Sequence, residues 1–205
     1  MTARTALRTT HLLYLHGFRS SPHSTKARRM AREVQRLQAE GMAIVWRCPQ
    51  LPPAPAEARG LIDMLTAGWP SATMAVVGSS LGGFYATVLA EARGCRAVLL
   101  NPAVDPARDL AAHIGTQTAW HDPALSFDFT AADVAALRAM TPAAITRPER
   151  YHTVIATGDE VLDWREMRAR YAGSCGVLVE GSDHALGDFD LHLPGAMLFL
   201  GLDGP

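Results

Sequence analysis

The sequence predicts an α/β fold with a mostly parallel sheet and helices on both of its faces. Three observations carry this. Short, nearly all-apolar runs alternate with helical segments from Leu12 to Leu100, in the order strand, helix, strand, helix, strand, helix, strand. The run Met74-Ala75-Val76-Val77 opens into Gly78-Ser79-Ser80-Leu81-Gly82-Gly83, and a long apolar helical segment follows at Phe84–Ala92. That is the strand, sharp turn and helix of a G-x-S-x-G elbow. The alternation then resumes after residue 150 and continues to the end of the chain.

Taken in order, residues 1–10 are short and polar and are expected to be loosely ordered. Leu12–Leu15 reads as a buried strand ending in His16-Gly17-Phe18. Ser24 is the expected N-cap of a helix with Ala27, Met30, Ala31, Val34 and Leu37 on its inner face, ended by Gly41. Arg28, Arg29, Arg32 and Arg36 line the opposite face, where Glu33 and Glu40 interrupt them, so a solvated face is expected. A strand at Met42–Arg47 is followed by the stiff loop Pro49–Pro55. A helix over about Ala56–Ala67 then turns Ala58, Leu61, Ile62 and Leu65 inward. Next come a strand at Thr73–Val77, the serine turn with its helix, and a strand at Ala97–Leu100.

Asn101-Pro102 breaks this rhythm. Residues 103–150 read as a small cap-like excursion within a single domain spanning 1–205, with Trp120, Phe127, Phe129 and one clear helix. That helix has Thr130 as N-cap and Ala132, Val134, Leu137 and Met140 on its apolar side. The aromatics are expected either to wall the site or to pack within the cap. A strand at His152–Thr157, a helix from about Trp164 to Tyr171, a strand at Gly176–Glu180 and a helix near Gly195–Leu200 complete the chain.

Bulk properties exclude several function classes. A chain of 205 residues with 48% hydrophobic content and net charge −1 gives no electrostatic case for nucleic acid or an anionic membrane. The run Leu12–Leu15 is too short for a signal-peptide core, and no run reaches the length of a membrane span, so a cytoplasmic protein is expected. Cys48, Cys95 and Cys175 lie at or beside predicted strands and are expected to be buried apolar filler. No C-x-x-C or H-E-x-x-H spacing occurs; Asp188, Asp190 and His192 form only a loose ionisable cluster, and no metal or cofactor is expected.

The chemistry centres on Ser80. Gly78 and Gly82 leave the elbow free of side chains two residues either side of it, and the Leu81 N–H would face the oxygen of a tetrahedral intermediate. A serine hydroxyl needs a base, and the base needs an orienting carboxylate. Gly158-Asp159-Glu160-Val161-Leu162-Asp163 follows one late strand and Gly181-Ser182-Asp183-His184 the other. In a parallel sheet Ser80, Asp159, His184 and the His16-Gly17-Phe18 loop all leave from one edge, where open α/β sheets bind ligands. His184 is preferred as base over His16, which is placed to brace its loop, and over His152, expected at the opposite edge. Histidines 11, 23, 113, 121 and 192 read as surface or packing residues. Asp159 is preferred as carboxylate, with Glu160 next; Asp163 opens a D-x-x-E that reads as a capping box with Glu166. The second oxyanion donor is expected at the N–H of Phe18, with Gly17 permitting the tight path.

Leu15-His16-Gly17-Phe18-Arg19-Ser20-Ser21-Pro22 with Ser24 and Lys26 resembles the opening of the small YqiA-like esterases, a branch of the α/β-hydrolase superfamily. Pro49–Pro52, Gly78–Thr87, Asn101–Val104, Thr157–Asp163 and Asp183–Ala185 are similar to that family in the same order, and the stretch from Asn101 to Arg150 matches least well. The resemblance implies the α/β-hydrolase fold and an esterase for carboxylic or thioester acyl groups, with Ser80, Asp159 and His184 in the triad positions. The alternatives are an acyl-CoA thioesterase or acyltransferase on the same machinery, or a non-catalytic binding protein on this fold. A small-molecule acyl ester or thioester is the expected partner.

Overall fold

The computed structural model describes residues 8–204, so the expectation for residues 1–7 lies outside it. Among the described residues there are eight strands: β1 (His11–Leu15), β2 (Val45–Arg47), β3 (Met74–Ser79), β4 (Arg96–Leu100), β5 (Gly115–Thr118), β6 (Ser126–Phe129), β7 (Tyr151–Ala156) and β8 (Cys175–Val179). Six of them form one all-parallel sheet in the order β2-β1-β3-β4-β7-β8, while β5 and β6 pair as a separate antiparallel hairpin.

Alternation along the central strands divides the interior into two cores. Leu13, Leu15, Val76, Leu99 and Tyr151 face one side, where α2 (Pro55–Thr66), α3 (Leu81–Arg93) and α5 (Ala131–Met140) cover them with Ile62, Phe84, Val88 and Leu137. Leu12, Tyr14, Val77, Val98 and Val154 face the other side, under α1 (Thr25–Ala39) and α7 (Phe189–Phe199) with Met30, Val34, Leu37 and Met197. Strands buried on both faces are apolar at nearly every position, which is why these runs show no polar alternation. The arginine face of α1 is solvated as expected; Arg36 pairs with Glu33 and Glu40, and Arg29 with Asp190.

Several expectations are corrected. Thr9 is buried, with its hydroxyl on the Leu200 carbonyl at 2.6 Å, and the Thr10 N–H bonds Thr73, so the chain is anchored before β1. Ser24 stands at the N-cap position of α1 but its side chain makes no capping bond. β2 is shorter than Met42–Arg47 because the Met42 N–H closes the end of α1 on the Leu37 carbonyl. α7 starts well before Gly195 and carries Pro194 inside it; burial of Phe189, Ala196 and Met197 outweighs the lost backbone bond. Cys95 is buried, but Cys48 is half-buried and Cys175 exposed, because β8 is an edge strand whose outer end is uncovered. Of the three residues in the loose acidic cluster, Asp190 pairs with Arg29, while Asp188 accepts from Ser182 and stands 3.5 Å from His192.

Between β4 and β7 the chain holds α4 (Pro106–Asp109), the β5–β6 hairpin and α5. Thr130 caps α5 in a full capping box with Asp133. Val134 and Leu137 are buried, Met140 half-buried, and Ala132 is exposed rather than inward. The hairpin has one apolar strand, Ser126-Phe127-Asp128-Phe129, facing the polar Gly115–Thr118, so only half of it leaves a hydrophobic signal. No helix among the described residues is long and apolar enough to cross a membrane.

Candidate active site

The strands that shape the site, β1, β3, β7 and β8, lie parallel in one sheet and end at the same edge, where the loops that leave them converge. Ser80 follows β3 directly and stands at the N-cap of α3 with φ 55° and ψ −123°. A non-glycine residue takes that left-handed φ only under constraint. Here the constraint is backbone on both sides: the Ser80 N–H donates to Leu100, and its carbonyl accepts from Gly83 and Ala103. The glycines two residues away are sterically required. A Cβ at Gly82 would lie 2.1 Å from the Leu15 carbonyl oxygen, and one at Gly78 would lie 2.2 Å from that of Gly82. The seryl oxygen is thus pushed clear of the sheet, whereas Ser79 stays in β3 and is buried.

A chain of hydrogen bonds runs from Ser80. Its Oγ lies 3.1 Å from His184 Nε2, and His184 Nδ1 lies 2.7 Å from Asp159 Oδ2. Asp159 has a fully buried side chain, and its Oδ1 accepts from the N–H groups of Val161 and Leu162, each at 2.8 Å. A carboxylate facing Nδ1 requires the Nδ1–H tautomer, which leaves the Nε2 lone pair toward the seryl hydroxyl.

The rivals are occupied elsewhere. His16 is buried, with its Nδ1 2.9 Å from the Gly17 carbonyl and its Nε2 accepting from the Leu51 N–H at 3.0 Å. Burial holds its imidazole below the ordinary value, so it stays neutral and ties the loop after β1 to the loop after β2. His152 sits near the start of β7 with its ring on Phe199. Asp163 caps α6 (Trp164–Arg170) through the Arg165 N–H, but Glu166 does not close a capping box; it pairs with Arg108 instead. Glu160 is exposed at its outer surface, yet its Oε2 accepts from the His184 N–H at 3.0 Å.

The Phe18 and Leu81 N–H groups meet no protein acceptor among the described residues. Leu81 opens α3, where an N–H has no partner within the helix. Phe18 and Leu81 both line a cavity of about 480 Å³ with Ser80, His184, Lys26 and Trp120. A neighbouring cavity of about 310 Å³ shares Gly17, Phe18 and Leu81 with it and is lined further by Leu51, Tyr85, Leu125 and Phe127. The aromatics of the excursion therefore divide. Trp120 stands exposed in the first cavity and Phe127 lines the second half-buried, while Phe129 is core, stacked edge-on against Phe18. His113 and His121, read from sequence as surface or packing residues, line these cavities as well. Among the described residues no group of His, Cys, Asp and Glu side chains could hold a metal ion.

Asn101 is the residue that sequence reading missed. It is fully buried at φ 42°, and its amide joins three elements. Its Oδ1 accepts from the Ala156 N–H at the end of β7, and its Nδ2 donates to the carbonyls of Asp183 and His184. The histidine loop is thereby fixed to the strand that precedes Asp159. Asparagine tolerates the left-handed conformation and offers both a donor and an acceptor. Its signals were an Asn-Pro pair just past an apolar strand and a place in the Asn101–Val104 segment of the family resemblance, neither of which gives its role. Asn101→Ala strands a buried N–H and loosens the histidine loop. An expected loss of about 3 kcal/mol in unfolding free energy, measured by denaturant titration, should accompany a marked fall in kcat.

The comparisons agree with this architecture. The mouse α/β-hydrolase domain-containing protein 10 superposes with a TM-score of 0.68 at 15% identity, covering 93% of this chain and 88% of that one. A monoacylglycerol lipase of Paleococcus ferrophilus superposes at 0.63 with 14% identity, covering 95% of each chain. Est1E of Butyrivibrio proteoclasticus superposes at 0.62 with 13% identity, covering 93% and 86%. The fold is thus that of the α/β hydrolases. Residues 11–201 match a family described as an uncharacterised protein family, UPF0227. That match spans nearly all of the sequence, and the chain belongs to UPF0227, the YqiA family that its motifs resemble.

Proposed function

We propose that this chain is a serine hydrolase that cleaves carboxylic esters or thioesters through an acyl-serine intermediate. The observation that carries the reading is the unbroken chain from Ser80 Oγ to His184 and on to the buried Asp159 carboxylate. Catalysis begins as Ser80 Oγ attacks the acyl carbon and His184 Nε2 takes the hydroxyl proton. Asp159 holds the Nδ1–H tautomer and stabilises the imidazolium that forms. The Phe18 and Leu81 N–H groups, which meet no acceptor among the described residues, hold the negative oxygen of the tetrahedral intermediate. Collapse breaks the bond to the leaving alcohol or thiol, which receives the proton from His184. Water then attacks the acyl-serine by the same route, giving the carboxylic acid and restoring Ser80. One domain carries all of these groups, and the excursion acts as a short cap.

A fluorophosphonate probe tests the activated serine. The expected result is stoichiometric labelling at Ser80, competed by short acyl esters. Wild-type protein that stays unlabelled under conditions that label a control esterase would overturn the hydrolase reading.

A further inference from the structure

Two cations line the cavity of about 480 Å³ in front of Ser80. Arg19 is held against the hairpin. Its Nε donates to the Thr118 carbonyl at 2.5 Å and its guanidinium covers the Trp120 ring at 4.1 Å. Lys26 stands in the first turn of α1, on the side of the cavity that carries His184. Its Nζ donates to the Ala185 carbonyl at 2.6 Å, and no carboxylate of the described residues lies within ion-pair distance of it. An ammonium has three N–H donors, so two remain for whatever enters the cavity.

The neighbouring acids are already committed. Asp159 is bound to His184 and to two backbone N–H groups, Asp183 accepts from the Gly187 N–H, and Asp109 pairs with Arg108. A half-buried cation in the wall of an otherwise largely apolar cavity, with Leu110, Trp120, Val161 and Leu162 around it, calls for an anion to enter.

Its location says which part of the substrate the anion belongs to. His184 Nε2 must reach the leaving heteroatom to return the proton, so the leaving group lies on the His184 side of Ser80. Lys26 is bonded to the residue immediately after His184, and therefore stands on that side. Resting on the hydrolase reading above, we propose that the substrate's leaving group carries an anion, a carboxylate or a phosphate, which Lys26 binds. The site discriminates by the charge on the departing alcohol or thiol, while the acyl chain has the apolar lining that remains.

Three butyryl thioesters test this: those of 3-mercaptopropionate, of 2-mercaptoethyl phosphate and of the neutral isostere 3-mercaptopropionamide. Wild type is expected to favour one or both anions over the amide in kcat/KM. Lys26→Met should collapse that ratio on the order of 10–100-fold, the worth of a charge-assisted hydrogen bond. The larger effect should fall on KM, and Lys26→Arg should restore part of the preference. A preference for one anion alone identifies whether carboxylate or phosphate is the natural group.

The pH profile supplies a second measurement. Burial lowers the Lys26 ammonium to about 8, with Asp183 and Asp159 opposing that shift. The ammonium is charged below this value and neutral above it, so the wild-type preference should be full at lower pH and fade as pH rises through about 8. His16, His113, His184 and Asp109 also line the cavity, and the Lys26→Met profile over the same pH range isolates the ammonium's share from theirs.

Equal losses on all three substrates would make Lys26 a structural clamp on Ala185 and overturn the proposal. So would a wild type that is indifferent to charge. Fluorophosphonate labelling of Ser80 without cleavage of any thioester overturns the leaving-group assignment alone, whereas absence of labelling overturns the hydrolase reading beneath it.

Discussion

Ser80→Ala is expected to lower kcat on acyl esters by a factor on the order of 10⁴–10⁶ while leaving the fold intact. Among the described residues the Oγ makes one hydrogen bond, to His184 Nε2. Alanine keeps the Cβ that the elbow already accommodates at φ 55°, so the change in unfolding free energy should stay within about 1 kcal/mol. Thermal melts should therefore nearly coincide, and fluorophosphonate labelling should vanish. Ser79→Ala is the control. Ser79 is the last residue of β3, buried and paired in register with Leu100, so its loss should leave most of the activity. An active Ser80→Ala beside a dead Ser79→Ala would place the nucleophile one residue earlier and break the mechanism proposed above.

The elbow was legible because its chemistry is local. Glycine is forced at 78 and 82 because a Cβ there would lie under 2.5 Å from a backbone oxygen, and such crowding leaves a spaced signature in the sequence. The sheet was legible for a related reason: strands covered on both faces are apolar along most of their length, as Leu12–Leu15, Met74–Val77 and Ala97–Leu100 show, while β7 admits His152 and Thr153. Shared position at the strand ends then pointed to Asp159 and His184, which the fold brings within hydrogen-bond reach of each other and of Ser80.

What escaped sequence reading depends on contacts between distant segments. Asn101 reaches across 82 residues to Asp183, and Lys26 across 159 residues to Ala185. No periodicity records such pairs. The β5–β6 hairpin escaped because one of its strands is polar and the other supplies just two aromatics. Its placement depends on the loop after β1: Arg19 holds Thr118, the Trp120 N–H returns to the Arg19 carbonyl, and Phe18 packs on Phe127 and Phe129. Exposure also misled. Asp163 and Glu160 differ little in their outer surface, yet one caps a helix and the other holds the His184 backbone.

Asp159→Asn should lower kcat by roughly 10³–10⁴ with a much smaller change in KM. The asparagine oxygen can stay on the Val161 and Leu162 N–H groups, since both now donate to the single oxygen Oδ1. Its amide nitrogen then replaces Oδ2 opposite His184 Nδ1 and presents a proton there. The imidazole must answer with a lone pair on Nδ1, which moves its own proton to Nε2, facing Ser80. A protonated Nε2 cannot accept the seryl proton, so the base is lost although no atom need move far. Asp163→Asn should be mild in comparison. Its Oδ1 accepts from the Arg165 N–H at the exposed N-cap of α6, and asparagine caps equally well, at a cost below about 1 kcal/mol. Glu160→Gln keeps an acceptor oxygen for the His184 N–H and should stay within about threefold of wild type, whereas Glu160→Ala removes that bond and should cost more. Assayed together with melts as a fold control, the variants rank the three carboxylates directly. Near-wild-type turnover by Asp159→Asn, beside a crippled Asp163→Asn or Glu160→Gln, would remove Asp159 from the relay.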